Sequence, residues 1–263
     1  MSFTAKDVMA LREKTGMGAM ECKKALTDAK GDFARAEELL RERAHGKMEK
    51  RTERATGEGR IGIAIEASQA AIVEIQTESD FAAKSDGFVQ MADDVARLAL
   101  AQSAGDVSCT DEMAKRIDDQ RLTTKENMSF ARGAKLEGGA FGKYVHHDGK
   151  RGVLLQVDGE ADEGLLKGLC QHICFHDPLG ISEGDIPADD LQHIRDEAIV
   201  DARQAGKPEE IAEKIAQGKV RKYLEEKTLL NQKYVLDEST TVKKVLPAGV
   251  SIRRFVRYTL GAR

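Results

Sequence analysis

The chain has 263 residues, is 41% hydrophobic and carries 33% charged residues of both signs, for a formal net charge of −4. That length allows one large or two small domains with ordinary cores, and the interspersed charge excludes an overall field that would draw nucleic acid or a membrane surface, so neither is expected as a direct partner. The opening M-S-F-T-A-K-D lacks the apolar run of a signal peptide and no stretch approaches the ~20 apolar residues of a membrane span, while four scattered cysteines (Cys22, Cys109, Cys170, Cys174) fit a reducing interior, which makes the cytoplasm the expected location.

Thr4-Ala-Lys-Asp7 has capping-box spacing, with Asp in place of Glu, and Val8, Leu11 and Met17 begin an apolar stripe, which predicts a first short helix. A turn at Gly16-Met17-Gly18 leads into a second helix with Met20, Ala25 and Leu26 as its expected inner face and Gly31 as its stop. A third helix is expected from about Asp32 to Ala44. Three short helices within residues 1–45 make a bundle with a thin core, which suits a docking module attached to something larger. The polar, basic stretch 46–59 reads as a linker.

From Arg60 the period changes. I-G-I-A-I-E-A-S-Q-A-A-I-V-E-I reads as two strands around a turn, and Phe88, Val89, Met91, Ala92, Val95, Ala96 and Ala99 then recur at helical spacing. Between them, T-E-S-D-F-A-A-K-S-D-G-F (77–88) sets an acid and an aromatic, Asp80 and Phe81, side by side in a connector. Burying a Phe stabilises by ~2 to 3 kcal/mol, so one left in a loop either packs back on its own helix or is kept for a partner. Asp80 has two readings as well: a helix cap, or part of that same surface.

Residues 111–135 read as helical. About eighty residues after the first hairpin the order recurs, with F-G-K-Y-V-H-H-D-G-K-R-G-V-L-L-Q-V, a loop, then L-L-K-G-L-C-Q-H-I-C. Both halves are hairpin, loop and helix, which predicts two related α+β subdomains with antiparallel strands, 60–135 and 136–186, the second closed by 228–263. Residues 187–227 depart from that pattern: two charged helices, the first carrying Ile194, Ala198, Val200 and Ala202, meet at Ala-Gly-Lys-Pro and are expected to protrude as an antiparallel coiled-coil hairpin. The last stretch, R-F-V-R-Y-T-L, alternates like a strand.

Little here points to covalent chemistry. Gly57-Glu-Gly59-Arg-Ile-Gly62 matches the dinucleotide fingerprint, but it follows a linker and opens a strand, whereas that motif must follow a strand and open a helix. No phosphate-binding G-x-x-x-x-G-K-[ST] occurs, so the chain is not expected to hold a nucleotide, and no cofactor is implied. Cys170, His172, Cys174 and His176 alternate as a metal cluster would on a strand. On a helix, steps of two turn about 200°, which puts the cysteines and the histidines on opposite faces, so core cysteines with half-exposed histidines are the reading preferred and no metal is expected. A zinc-dependent enzyme built on these four residues stands as the competing reading. His146-His147-Asp148 sits at a hairpin turn, whose polarity accounts for it.

Two segments together carry a resemblance. Thr15-Gly-Met-Gly-Ala-Met-Glu-Cys-Lys-Lys-Ala-Leu26 looks like the N-terminal signature of the elongation factor Ts family, and Ser79-Asp80-Phe81-Ala82 is similar to that family's Thr-Asp-Phe-Val motif. Tyr144-Val-His146 with Arg151-Gly-Val, the stretch Gly206-Lys-Pro-Glu-Glu-Ile-Ala-Glu-Lys, and Leu230-Asn-Gln-Lys-Tyr-Val235 follow in the family's order. The resemblance implies a ubiquitin-associated-like bundle at residues 1–45 and a guanine-nucleotide exchange factor that binds elongation factor Tu, GDP-bound or nucleotide-free. It implies that Ser79, Asp80, Phe81 and Ala82 contact the partner near its magnesium site, and that Met17, Met20, Lys23 and His146 are further contacts. Ser79 and Ala82 depart from the family's Thr and Val, and no helix follows the last strand; the lost bulk at Ala82 is expected to weaken contacts at the tip. The alternative is a ubiquitin-associated-like scaffold without exchange activity.

Overall fold

The computed structural model describes residues 3–48 and 54–262, so residues 49–53 of the expected basic linker lie outside the described residues. Two compact units divide the chain: one comprises Met1–Glu137, Val145–Gly152 and Tyr258–Arg263, the other Gly138–Tyr144 and Val153–Arg257.

The first unit opens with α1 (Ala5–Thr15), α2 (Ala19–Asp28) and α3 (Phe33–Met48). The capping box forms as its spacing predicts: the Thr4 amide donates to Asp7 Oδ2 at 2.7 Å and the Asp7 amide to Thr4 Oγ1 at 3.3 Å. Gly16, at φ 67°, ends α1 in the left-handed region that lacks a penalty only for glycine. Leu11, Met17, Cys22, Ala25, Leu26, Ala36 and Leu40 form the bundle's core. Two expectations change. Met20, placed on the inner face by its spacing, is 75% exposed, because Cys22 takes the inward position beside Ala25 and Leu26. The third helix continues to Met48, past Ala44 and through Gly46.

Strands β1 (Glu58–Glu66) and β2 (Gln69–Thr77) pair antiparallel over their full length, Glu58 opposite Thr77 and Glu66 opposite Gln69. A single helical turn, α4 (Asp80–Lys84), then leads into α5 (Asp86–Ala99), and β3 (Gly105–Asp106) precedes α6 (Asp111–Thr124). The expected helix over 111–135 is corrected here: it stops where Lys125 turns to φ 61°, and Met128–Glu137 is a strand, β4, paired antiparallel with β2. Ala, Lys and Leu in A-R-G-A-K-L favour helix locally, but the free edge of β2 supplies a ladder of backbone hydrogen bonds that outweighs propensity. The sheet order is β1-β2-β4-β3. Ala71, Val73 and Ile75 of β2 meet Phe88, Met91, Ala92, Val95, Ala96 and Ala99 of α5 in one buried cluster.

In the second unit a three-stranded sheet runs β5 (Ala140–Val145), β6 (Arg151–Asp158), β9 (Ser251–Thr259). Helix α7 (Glu163–His176) buries Leu166, Leu169, Cys170, Ile173 and Cys174 against Val153, Leu155 and Val157. Helices α8 (Ala188–Gln204) and α9 (Glu209–Lys227) pack together through Ala198, Ala202, Ala212 and Ala216, residues small enough for close approach, and ion pairs Arg195–Glu213 (2.6 Å) and Lys219–Asp201 (3.0 Å) join them. A short ribbon, β7 (Lys233–Tyr234) with β8 (Asp237–Thr241), and the turn of helix α10 (Val242–Val245) complete it. The α+β class with N-terminal helices and antiparallel strands is thus the one expected.

Candidate functional site

Phe81 does not lie in a loop: it stands on α4, the single turn between β2 and α5. Ser79, extended at φ −124° and ψ 154°, caps that turn, its hydroxyl accepting from the Ala82 amide at 3.2 Å. Ala82 and Ala83 face inward and are buried, so the ring one position earlier points out. Phe81 is 85% exposed. Packing back on its own helix is excluded, and the cap is Ser79 rather than Asp80.

Asp80 instead pairs with Lys84 at 2.7 Å, one turn on. The hydrogen bond from Lys84 holds the Asp80 carboxyl below the ordinary carboxylate range, with the positive charges of Lys84 and Lys150 acting in the same direction. Asp80 therefore presents a negative charge beside an apolar ring at neutral pH. Ala82 is 7% exposed and belongs to the interior, so the bulk lost relative to valine is lost inside the protein.

Residues that sequence reasoning passed over hold this turn in place. Glu126, in the connector between α6 and β4, accepts from the Ser79 hydroxyl (2.6 Å), the Ser79 amide (3.1 Å) and the Thr77 hydroxyl (3.1 Å). Beside it, the Asn127 amide donates to Glu78 Oε1 at 2.6 Å and the Asn127 side chain to the Arg54 carbonyl at 2.9 Å. No local pattern signals these bonds, since 47 residues separate Glu126 from Ser79.

His146 lies in the turn joining β5 to β6, in the same unit as Phe81. Its amide donates to the Arg151 carbonyl at 2.9 Å, its carbonyl accepts from Gly149 at 2.8 Å, and its ring is partly exposed, 3.9 Å from Asp148. The turn is tied to β1, where the Ile61 amide donates to the Gly149 carbonyl (2.9 Å) and Lys150 pairs with Glu58 (2.6 Å). In the N-terminal bundle Met20 and Lys23 are exposed, whereas Met17 is 6% exposed. Met17 belongs to the bundle's core cluster with Leu11, Cys22 and Leu26.

The Cys170–His176 stretch is helical, and His172 is buried rather than half-exposed. Its Nδ1 accepts from the Val235 amide at 3.1 Å, which fixes the proton on Nε2 facing Gln232 Oε1 at 2.9 Å. Burial pushes its pKa down to about 4, and burial likewise raises the Cys170 thiol. Among the described residues no group of three or more His, Cys, Asp or Glu is arranged to hold a metal ion, and no helix is long and apolar enough to cross a membrane.

Comparison with known proteins places these features in one family. The family model for elongation factor TS matches residues 78–262, starting one residue before Ser79. An elongation factor Ts of Thioalkalivibrio sulfidiphilus is 38% identical over 99% of this chain and 93% of its own length. One from Thiobacillus denitrificans is 40% identical over 98% and 92%, and one from Halorhodospira halophila 36% over 99% and 93%. Similarity of this extent, spanning the bundle, both sheets and the Phe81 turn, shows that the chain belongs to the elongation factor Ts family of translation elongation factors.

Proposed function

We propose that this chain binds elongation factor Tu, GDP-bound or nucleotide-free, and promotes release of GDP and its replacement by GTP without covalent chemistry or a cofactor of its own. The observation that carries the reading is Phe81, a large apolar ring 85% exposed on an anchored helical turn with the charged Asp80 beside it. Leaving such a ring in water forgoes ~2 to 3 kcal/mol, which a partner's pocket restores.

An exchange factor works by linkage. It binds the nucleotide-free partner more tightly than the nucleotide-bound one, and must then lower nucleotide affinity by the same factor. Only contacts made more fully in the nucleotide-free complex contribute. On this reading Phe81 enters between helices of the partner near its magnesium site, with Asp80 alongside, and shifts the ligands of the cation. Magnesium neutralises the phosphates, so small displacements of its ligands weaken nucleotide binding strongly. Met20, Lys23 and His146 supply further docking contacts, and Ser79 supports the turn.

The test is dissociation of fluorescent GDP from elongation factor Tu with and without this protein. A rate that rises with the concentration of the protein supports the proposal. Association without any change in rate means a scaffold, and overturns it.

A further inference from the structure

We infer that Glu126 is a positioning residue for exchange: its carboxylate sets the direction in which the α4 turn presents Phe81. The inference rests on the exchange reading above and extends it to a residue that makes no contact with the partner itself.

A five-residue helix cannot hold its own shape, because nucleation fixes several dihedrals for a single hydrogen bond. The geometry of α4 must come from outside it. On the inner side Ala82 and Ala83 are buried, and the Ala82 carbonyl accepts from the Ser85 hydroxyl at 2.8 Å. At its N-terminus the constraint is polar. Glu126 Oε2 receives the Thr77 hydroxyl and the Ser79 amide, each at 3.1 Å, while Oε1 receives the Ser79 hydroxyl at 2.6 Å.

The last bond has a directional consequence. A serine hydroxyl has one proton to donate and two lone pairs. Donating to an acceptor-only carboxylate commits the proton to Glu126 and leaves a lone pair for the Ala82 amide, which it meets at 3.2 Å. The same carboxylate thus holds the end of β2, the cap backbone and the cap hydroxyl. Glu126 is itself fixed, since the Asn127 amide next to it donates to Glu78 at 2.6 Å. An arrangement of this kind restricts the ring before docking, so less ordering is charged against complex formation.

The test is a double-mutant cycle on fluorescent GDP release from elongation factor Tu, using the full chain. In Glu126→Gln the amide places its own NH2 against one of these donors. Accelerated release is expected to fall about tenfold, the scale of one lost charge-assisted hydrogen bond. In a Phe81→Ala background the same change should have little further effect, because Glu126 acts through the ring. A role in general stability would lower both backgrounds alike. If Glu126→Gln does not fold by circular dichroism, Thr77→Val, which deletes a single donor to Oε2, is put through the same cycle and decides in its place. Should wild-type protein fail to accelerate release at all, the exchange reading falls and this inference with it. Should wild type accelerate release and Phe81→Ala reduce that acceleration, while the Glu126 or Thr77 variant exchanges like wild type or slows both backgrounds by the same factor, the inference alone is overturned.

Discussion

At the residue scale, the site depends on one side chain being denied burial that its neighbours receive. Ala82 and Ala83 turn inward and Phe81 turns out, a division set by helical geometry over one turn. Removing the ring should therefore leave the fold intact: Phe81→Ala is expected to change the unfolding free energy by no more than about 0.5 kcal/mol, as for other exposed positions. Acceleration of GDP release should fall by roughly 30- to 150-fold, the equivalent of the ~2 to 3 kcal/mol of burial at stake. Parallel urea titrations and fluorescent GDP release measure the two effects separately.

His172 is the opposite case, a polar ring enclosed with both nitrogens partnered. The unfolded chain takes up a proton near the ordinary imidazole value of 6.5, whereas the folded chain takes it up only near 4. In that window the unfolded state binds more protons, so stability is full above about 6.5 and is lost as pH falls toward 4. The loss attributable to this group is about 2 kcal/mol by pH 5. Urea midpoints at pH 7 and pH 5 should differ less in His172→Gln than in wild type, on a lower baseline.

At the element scale, α5 lies unusually close to β1. A Cβ built on Gly62 would fall 2.4 Å from the Ala92 carbonyl oxygen, and backbone on both sides leaves no flexible side chain to give way. Gly62→Ala should force helix and strand apart and cost about 1 to 3 kcal/mol, read as a lower thermal midpoint with the secondary structure retained. Ser85 serves both elements, ending α4 and capping α5 through the Phe88 amide at 3.3 Å.

At the scale of the whole molecule, segments distant in sequence close the first unit. Glu74, 1% exposed in the middle of β2, pairs with Arg132 of β4 at 2.8 Å and accepts from the Gly261 amide at 2.9 Å. Arg132 in turn donates to the Thr259 carbonyl at 2.9 Å and lies 4.2 Å over the Tyr258 ring. Arg132→Ala would leave a buried carboxylate without its counter-charge, which should cost about 3 kcal/mol. Hydrogen exchange at residues 258–262 should then speed up while the β1–β2 ladder stays protected. An unchanged exchange rate there would show that the arginine does not hold the last strand.

How much of this was legible beforehand follows from the range of the forces. Capping at Thr4, the stop at Gly16, the β1–β2 hairpin, the apolar face of α5 and the paired helices α8 and α9 all rest on interactions within one turn or between neighbouring elements, and periodicity exposes them. Residue order also carried the family, because Ser79-Asp80-Phe81 and the other segments keep their order whatever their environment. Two features required the folded chain: the strand at Met128–Glu137 and the burial of His172. Each is decided by a neighbour remote in sequence, the open edge of β2 or Gln232. The same holds for Glu126, whose three bonds to Thr77 and Ser79 cross nearly fifty residues. Local pattern specifies which groups are available; loop closure and packing select which of them meet.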